Sequence, residues 1–220
     1  MLNVRAMAIV NTHGAVLSIP QPGVNRRFVG PAVGNRTGHA LCSLLLLERS
    51  QGRHARAKAL SAVVSRQFAQ DERLAARVAE LLDGRTITTA ESCTAGRVAE
   101  ALATVERATE FFRGGIVAYQ EWVKRDLLGV TASSVLSPEA AAQMAIGAAR
   151  LMRAEVAVST TGVAGGDGQE DTPPGTVYIA TSVNQRVTTL EHHFDGPPEQ
   201  VCDKARHQAL LDVIEAMTCA

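Results

Sequence analysis

Apolar and polar positions fall into a regular order only from about Gln67 onward. Between Asp71 and Leu82, the residues Leu74, Val78, Leu81 and Leu82 share one helical face, while Glu72, Arg73, Arg77 and Glu80 lie off it. Gly84 then acts as a stop. Residues 85–90, rich in Thr and Ile, predict a strand, and residues 94–105 a helix. A short apolar strand at 115–119 precedes a helix over 122–128 that ends at Gly129. Ser137-Pro138-Glu139 is a strong helix start: serine caps orphan amides, proline suits the first turn and glutamate complements the dipole. That helix is expected to run to about Met152. Strands follow at 156–160, 176–182 and 187–194, with a closing helix over 199–217. Strands and helices interleave early and a strand pair sits late. The pattern predicts an α/β fold, a single three-layer domain with a mixed sheet flanked by helices.

Residues 1–66 keep neither a 2-residue nor a 3.6-residue period, and charge sets them further apart. They carry eight Arg and Lys58 against the single acid Glu48, a net of +8, so residues 67–220 carry −8 within a chain of zero formal charge. An Arg-rich, acid-poor segment fits a transit peptide or a nucleic-acid-binding arm. Gly14, Pro20, Pro22, Gly23, Gly30, Pro31 and Gly34 break the amphipathic helix that a transit peptide needs. The favoured expectation is a disordered basic extension over 1–66, or upstream sequence translated from a misjudged start, followed by a folded domain over 67–220.

At 220 residues the chain suits one domain of ordinary size plus an appendage. No apolar run approaches the ~20 residues of a membrane helix. Cys42, Cys93, Cys202 and Cys219 are too widely spaced for a disulfide framework or a zinc site. His192 and His193 adjoin on a strand and face opposite ways, and His207 lies on the closing helix, so no metal is assigned.

Three stretches carry candidate chemistry. Thr89-Ala90-Glu91-Ser92-Cys93-Thr94-Ala95-Gly96 sits where a strand meets a helix, and helix N-termini polarise hydroxyls and anions. Read by itself, Ser92 or Thr94 is more simply a helix cap, and Cys93 a small buried thiol. Tyr119 and Lys124 flank the next strand-to-helix turn and could project toward the same sheet edge as Ser92. An amine with a reference pKa of ~10.4 must fall toward ~7–8 to act as a base; otherwise Lys124 is a solvated helix residue. The glycine-rich run from Thr160 to Thr176 follows a strand and is a candidate anion cradle, though it is neither a Walker A loop nor a Rossmann fingerprint.

Together and in this order, the motifs resemble the CinA C-terminal-domain family, whose characterised members are nicotinamide-nucleotide amidases of the PncC type. The family pattern of a TAESCTGG-like turn, FxRGxVxYSNxxK, VSPE and SGIAGP-like glycines before PxGTV stands here at 89–96, 112–124, 136–139 and 161–177. Ala95 takes the place of a glycine, and Gln120-Glu121-Trp122 stands in place of Ser-Asn-Glu. The resemblance implies a serine amidohydrolase with Ser92 as nucleophile, Lys124 as general base and Tyr119 as assisting hydroxyl. It implies substrate contacts at Thr94, Gly96, Thr161, Gly162, Gly165 and Gly166, with oxyanion donors from the helix at Thr94 or the Gly162 loop. The expected reaction converts nicotinamide mononucleotide to nicotinate mononucleotide and ammonia, with no cofactor. The alternatives are a non-catalytic nucleotide- or protein-binding domain and an amidohydrolase of shifted specificity. The expected setting is the cytoplasm, as a homo-oligomer, with neither membrane nor nucleic acid as a partner.

Overall fold

The computed structural model describes residues 69–169 and 171–219. The expectations for residues 1–66 lie outside these described residues. Helix α1 spans 69–82. It is followed by β1 (Ile87–Glu91), α2 (Arg97–Ala103), α3 (Ala108–Phe111), β2 (Phe112–Val117), a π-helical turn (Val123–Leu127) and α4 (Pro138–Met152). The chain closes with β3 (Val156–Gly162), β4 (Thr176–Val183), β5 (Arg186–His193) and α5 (Pro198–Thr218).

The strands form one sheet in the order β2-β1-β3-β4-β5. β1 runs parallel to both β2 and β3, whereas β4 is antiparallel to β3 and β5. The fold is therefore the expected α/β domain with a mixed sheet. Alternation along the strands sends Ile87, Val156, Val158 and Ile179 to the face covered by α1, α2 and α5, where they pack with Val78, Leu102 and Leu210. The opposite face is lined by small residues. Ala157 and Ala180 meet Ala141 and Ala145 of α4, which lets that helix lie close to the sheet. α4 also lies against the end of the π-helical turn: at Gly147 a Cβ would stand 2.0 Å from the carbonyl oxygen of Leu128.

Ser137 caps α4 as expected, its Oγ accepting from the Ala140 amide at 3.1 Å, with Pro138 in the first turn. Asn184 and Gln185 both take positive φ (49° and 69°), the two-residue geometry that matches the twist of the β4–β5 hairpin.

Some boundaries differ from the sequence expectation. β3 continues through Thr161 and Gly162, which pair with Tyr178 and Val177, so the glycine-rich run enters its loop only after the ladder ends. β2 begins at Phe112 and is preceded by the one-turn α3, which carries no periodic signal of its own. The helix expected over 122–128 is a π-helical turn, with the Leu128 amide reaching back five residues to the Val123 carbonyl.

Candidate active site

The parallel strands β2, β1 and β3 end on one side of the sheet, where open α/β sheets bind ligands. A cavity of about 560 Å³ lies there, within the size range of small-molecule sites. Ser92, Tyr119, Lys124, Gly162 and Gly165 all contribute to its wall. Ser92 follows the last residue of β1, Tyr119 lies just beyond β2, Lys124 sits in the π-helical turn and Gly162 closes β3. Thr94, Gly96, Thr161 and Gly166 are not part of that wall.

Ser92 is 6% exposed and its amide donates to Thr160 O at 2.9 Å, which ties the turn to β3. The Ser92 hydroxyl has no hydrogen-bond partner among the described residues. Tyr119 is 67% exposed and stands at the mouth. Lys124 is only 3% exposed, and its Nζ donates to Thr161 Oγ1 at 3.2 Å. Thr161 in turn donates its single hydroxyl proton to Val135 O at 2.8 Å, so toward Lys124 it can only accept. Thr161 thus holds the amine in place.

The start of α2 differs instructively from expectation. Glu91, 1% exposed at the end of β1, accepts five hydrogen bonds. They come from the hydroxyls of Thr89 and Thr94 and from the amides of Gly96, Val98 and Ala99. A remote carboxylate therefore caps the helix, which begins at Arg97 rather than Thr94, and these amides are not available as oxyanion donors. The Thr94 hydroxyl is fully enclosed between Glu91 and Thr160. Sequence reasoning passed over Glu91; the available signal was an acid at the end of an apolar strand, directly before a helix start.

The glycines also have local explanations. At Gly162 a Cβ would meet Thr176 O at 2.3 Å, and at Gly165 it would meet Pro198 Cγ at 2.3 Å. Close packing demands glycine at both, whatever else they touch. Gly96 and Gly166 have φ of 97° and 89°, so each is a conformational requirement. Ala95 also takes positive φ (50°), a region that costs a side-chain-bearing residue about 1–2 kcal/mol. Ala95→Gly is expected to raise the melting temperature by a few degrees, since relief of this strain outweighs the entropy that glycine adds to the unfolded chain. An unchanged or lower midpoint in thermal unfolding would contradict the strain.

Cys93 adjoins Ser92 in the wall and is the competing nucleophile. Burial pushes its thiol up to about 12, reinforced by Cys202, while its own backbone amide and Lys124 pull the other way without prevailing. Such a thiol stays protonated at neutral pH and is a poor nucleophile. The three histidines among the described residues are engaged elsewhere: His192 with Asp212 at 2.9 Å, His193 with Thr176 at 3.4 Å and His207 with Asp71 at 2.6 Å.

A family model described as the CinA C-terminal domain matches residues 71–217. The chain belongs to that family. Among curated relatives, the CinA-like protein of Flavobacterium psychrophilum is 35% identical over 151 residues, which covers 65% of this chain and 36% of the relative. Protein YdeJ of Escherichia coli is 35% identical over 143 residues, covering 62% of this chain and 83% of that protein. The chain thus spans about a third of the CinA-like protein and most of the shorter relative. A crystal structure of a competence-damaged protein (CinA) superfamily protein from Klebsiella pneumoniae superposes with a TM-score of 0.66 at 33% identity. That superposition covers 68% of this chain and 99% of the other. The elements and cavity described above make up this CinA domain. No helix among its described residues is long and apolar enough to cross a membrane.

Proposed function

We propose that this CinA domain hydrolyses the carboxamide of nicotinamide mononucleotide, giving nicotinate mononucleotide and ammonia through a Ser92/Lys124 mechanism. One observation carries the reading. A serine after β1, and a tyrosine and a buried lysine after β2, line a single cavity at the carboxyl ends of the parallel strands.

The neutral amine of Lys124 takes the Ser92 hydroxyl proton, directly or through Tyr119, as Ser92 Oγ attacks the carboxamide carbon. Thr161 occupies one N–H of the buried amine, so the lone pair is oriented away from Thr161. The open Ser92 hydroxyl suits an enzyme whose catalytic hydrogen bond tightens only once substrate is bound. Oxyanion donors come from the amide of Cys93, next to the nucleophile, and from the loop after Gly162, since the α2 amides serve Glu91. Collapse of the tetrahedral intermediate breaks the C–N bond, and the Lys124 ammonium supplies the proton with which ammonia leaves. Water, deprotonated by the same amine, then cleaves the acyl ester. The loop amide at Gly165 faces the substrate phosphate in this scheme. Cys93 and Cys202 are free thiols, in keeping with a cytoplasmic setting.

Ammonia release from nicotinamide mononucleotide by the purified chain tests the proposal. Turnover is expected. Binding without turnover would favour a non-catalytic domain, and turnover of other amides alone would favour a shifted specificity.

A further inference from the structure

Cys93 and Cys202 are 109 positions apart in the chain and adjoin in the folded domain. Cys93 follows the nucleophile of the proposed reaction, and Cys202 sits near the start of α5. Both are partly exposed free thiols, and both line the cavity that holds Ser92 and Lys124. The Cys202 S–H donates to the Cys93 carbonyl oxygen at 3.0 Å. A carbonyl oxygen and the sulfur of the same cysteine hang from one Cα, so this contact brings the two sulfurs within reach of side-chain rotation. Cys219, just past the end of α5, lines a separate cavity with Thr181 and Leu190.

We infer that Cys93 and Cys202 are a disulfide-forming pair whose closure, under a peroxide-type oxidant, disables the cavity beside Ser92. Peroxide first oxidises the Cys202 sulfur to a sulfenic acid, its O–O bond breaking with release of water. The Cys93 sulfur then displaces the sulfenic hydroxyl, the S–S bond forms and a second water leaves. Two thiols and one peroxide thus become one disulfide and two waters. The link fastens the turn that carries Ser92 to α5. The Cys93 amide, an oxyanion donor in the proposed mechanism, is drawn along with it.

The thiols set the tempo of closure. Burial pushes Cys202 up, and the guanidinium of Arg97 pulls it part of the way back, so it is the sulfur attacked first. Cys93, held near 12, stays protonated at neutral pH and makes the second step slow. A basic thiolate is also a poor leaving group, so the disulfide, once formed, is slow to be reduced. The pair therefore answers sustained oxidation rather than a brief pulse, and both thiols stay free in a reducing compartment. Because both groups titrate above neutrality, closure is expected to quicken several-fold for each unit of pH above neutral.

The full chain is incubated with hydrogen peroxide at about pH 8.5, digested without reductant and analysed by mass spectrometry, with ammonia release followed in parallel. A peptide joining Cys93 to Cys202, lighter by two hydrogens than its parts, is expected. Activity is expected to fall about tenfold or more and to return with dithiothreitol, since a small displacement beside a nucleophile is costly. Cys202→Ser keeps a hydroxyl for the Cys93 carbonyl and is expected to hold its activity through the same treatment. Absence of the Cys93–Cys202 link, or linkage of either cysteine only to Cys42 or Cys219, overturns the inference. So does a link that leaves activity untouched, or an equal loss in Cys202→Ser. The inference rests on the amidase reading only for its effect on turnover. A chain that forms the link yet never releases ammonia, oxidised or reduced, would end that reading and leave the pair standing.

Discussion

Ser92→Ala is expected to lower amide hydrolysis by about 10⁴-fold or more while leaving the fold intact, because loss of a nucleophile removes covalent catalysis entirely. The size of the kinetic effect and the smallness of the structural one share a cause. The Ser92 hydroxyl has no partner among the described residues, so removing it leaves no buried group unsatisfied, and the backbone bond from Ser92 to Thr160 is retained. A melting temperature within a degree or two of wild type, measured beside the ammonia assay, separates loss of chemistry from loss of structure. Cys93→Ala is the control. With its thiol held near 12, Cys93 contributes no thiolate, and activity is expected to remain within a few-fold. The reverse result, an active Ser92→Ala and a dead Cys93→Ala, would move the nucleophile by one residue and overturn the mechanism.

Glu91→Gln is expected to cost about 3 kcal/mol of stability, although it changes a single atom. The two carboxylate oxygens receive five donors, three of them backbone amides that cannot reverse their polarity. A glutamine amide nitrogen must replace one oxygen. In place of Oε2 it would face the Gly96 and Val98 amides; in place of Oε1 it would face that of Ala99. The less costly placement still loses one bond, sets two donors against each other and removes the charge from the helix start. For a domain of this size the loss corresponds to a fall of roughly 10 °C in the melting temperature. A midpoint within two degrees of wild type would mean that the helix start does not depend on the carboxylate.

Sequence reasoning succeeded where the information is local. Ser137-Pro138-Glu139 announces α4 because the cap, the proline and the acid all act within one turn. The late strands fall within one or two residues of their expected bounds. The order of motifs sufficed to bring Ser92, Tyr119 and Lys124 together as candidates. What escaped depends on partners distant in sequence or on side-chain direction. Thr94 is enclosed by Glu91 three residues before it and by the distant Thr160, and Thr161 is turned inward by Val135, 26 residues away. That Gly165 also answers a packing demand shows only through Pro198, thirty-three positions later, which leaves no room for a side chain there. The π-helical turn at Lys124 has a helical composition, and only its packing distinguishes it from an α-helical turn.

The contact between Gly147 and the Leu128 carbonyl ties two distant parts of the gene to a common fate. Leu128 immediately follows the turn that bears Lys124, and no side chain fits between that turn and α4. Even an alanine at 147 would push the lysine-bearing segment outward, so drift at a position with no chemistry of its own would be felt as lost activity. In the proposed mechanism, the demands of the reaction would therefore reach into the middle of a helix that lines no part of the cavity.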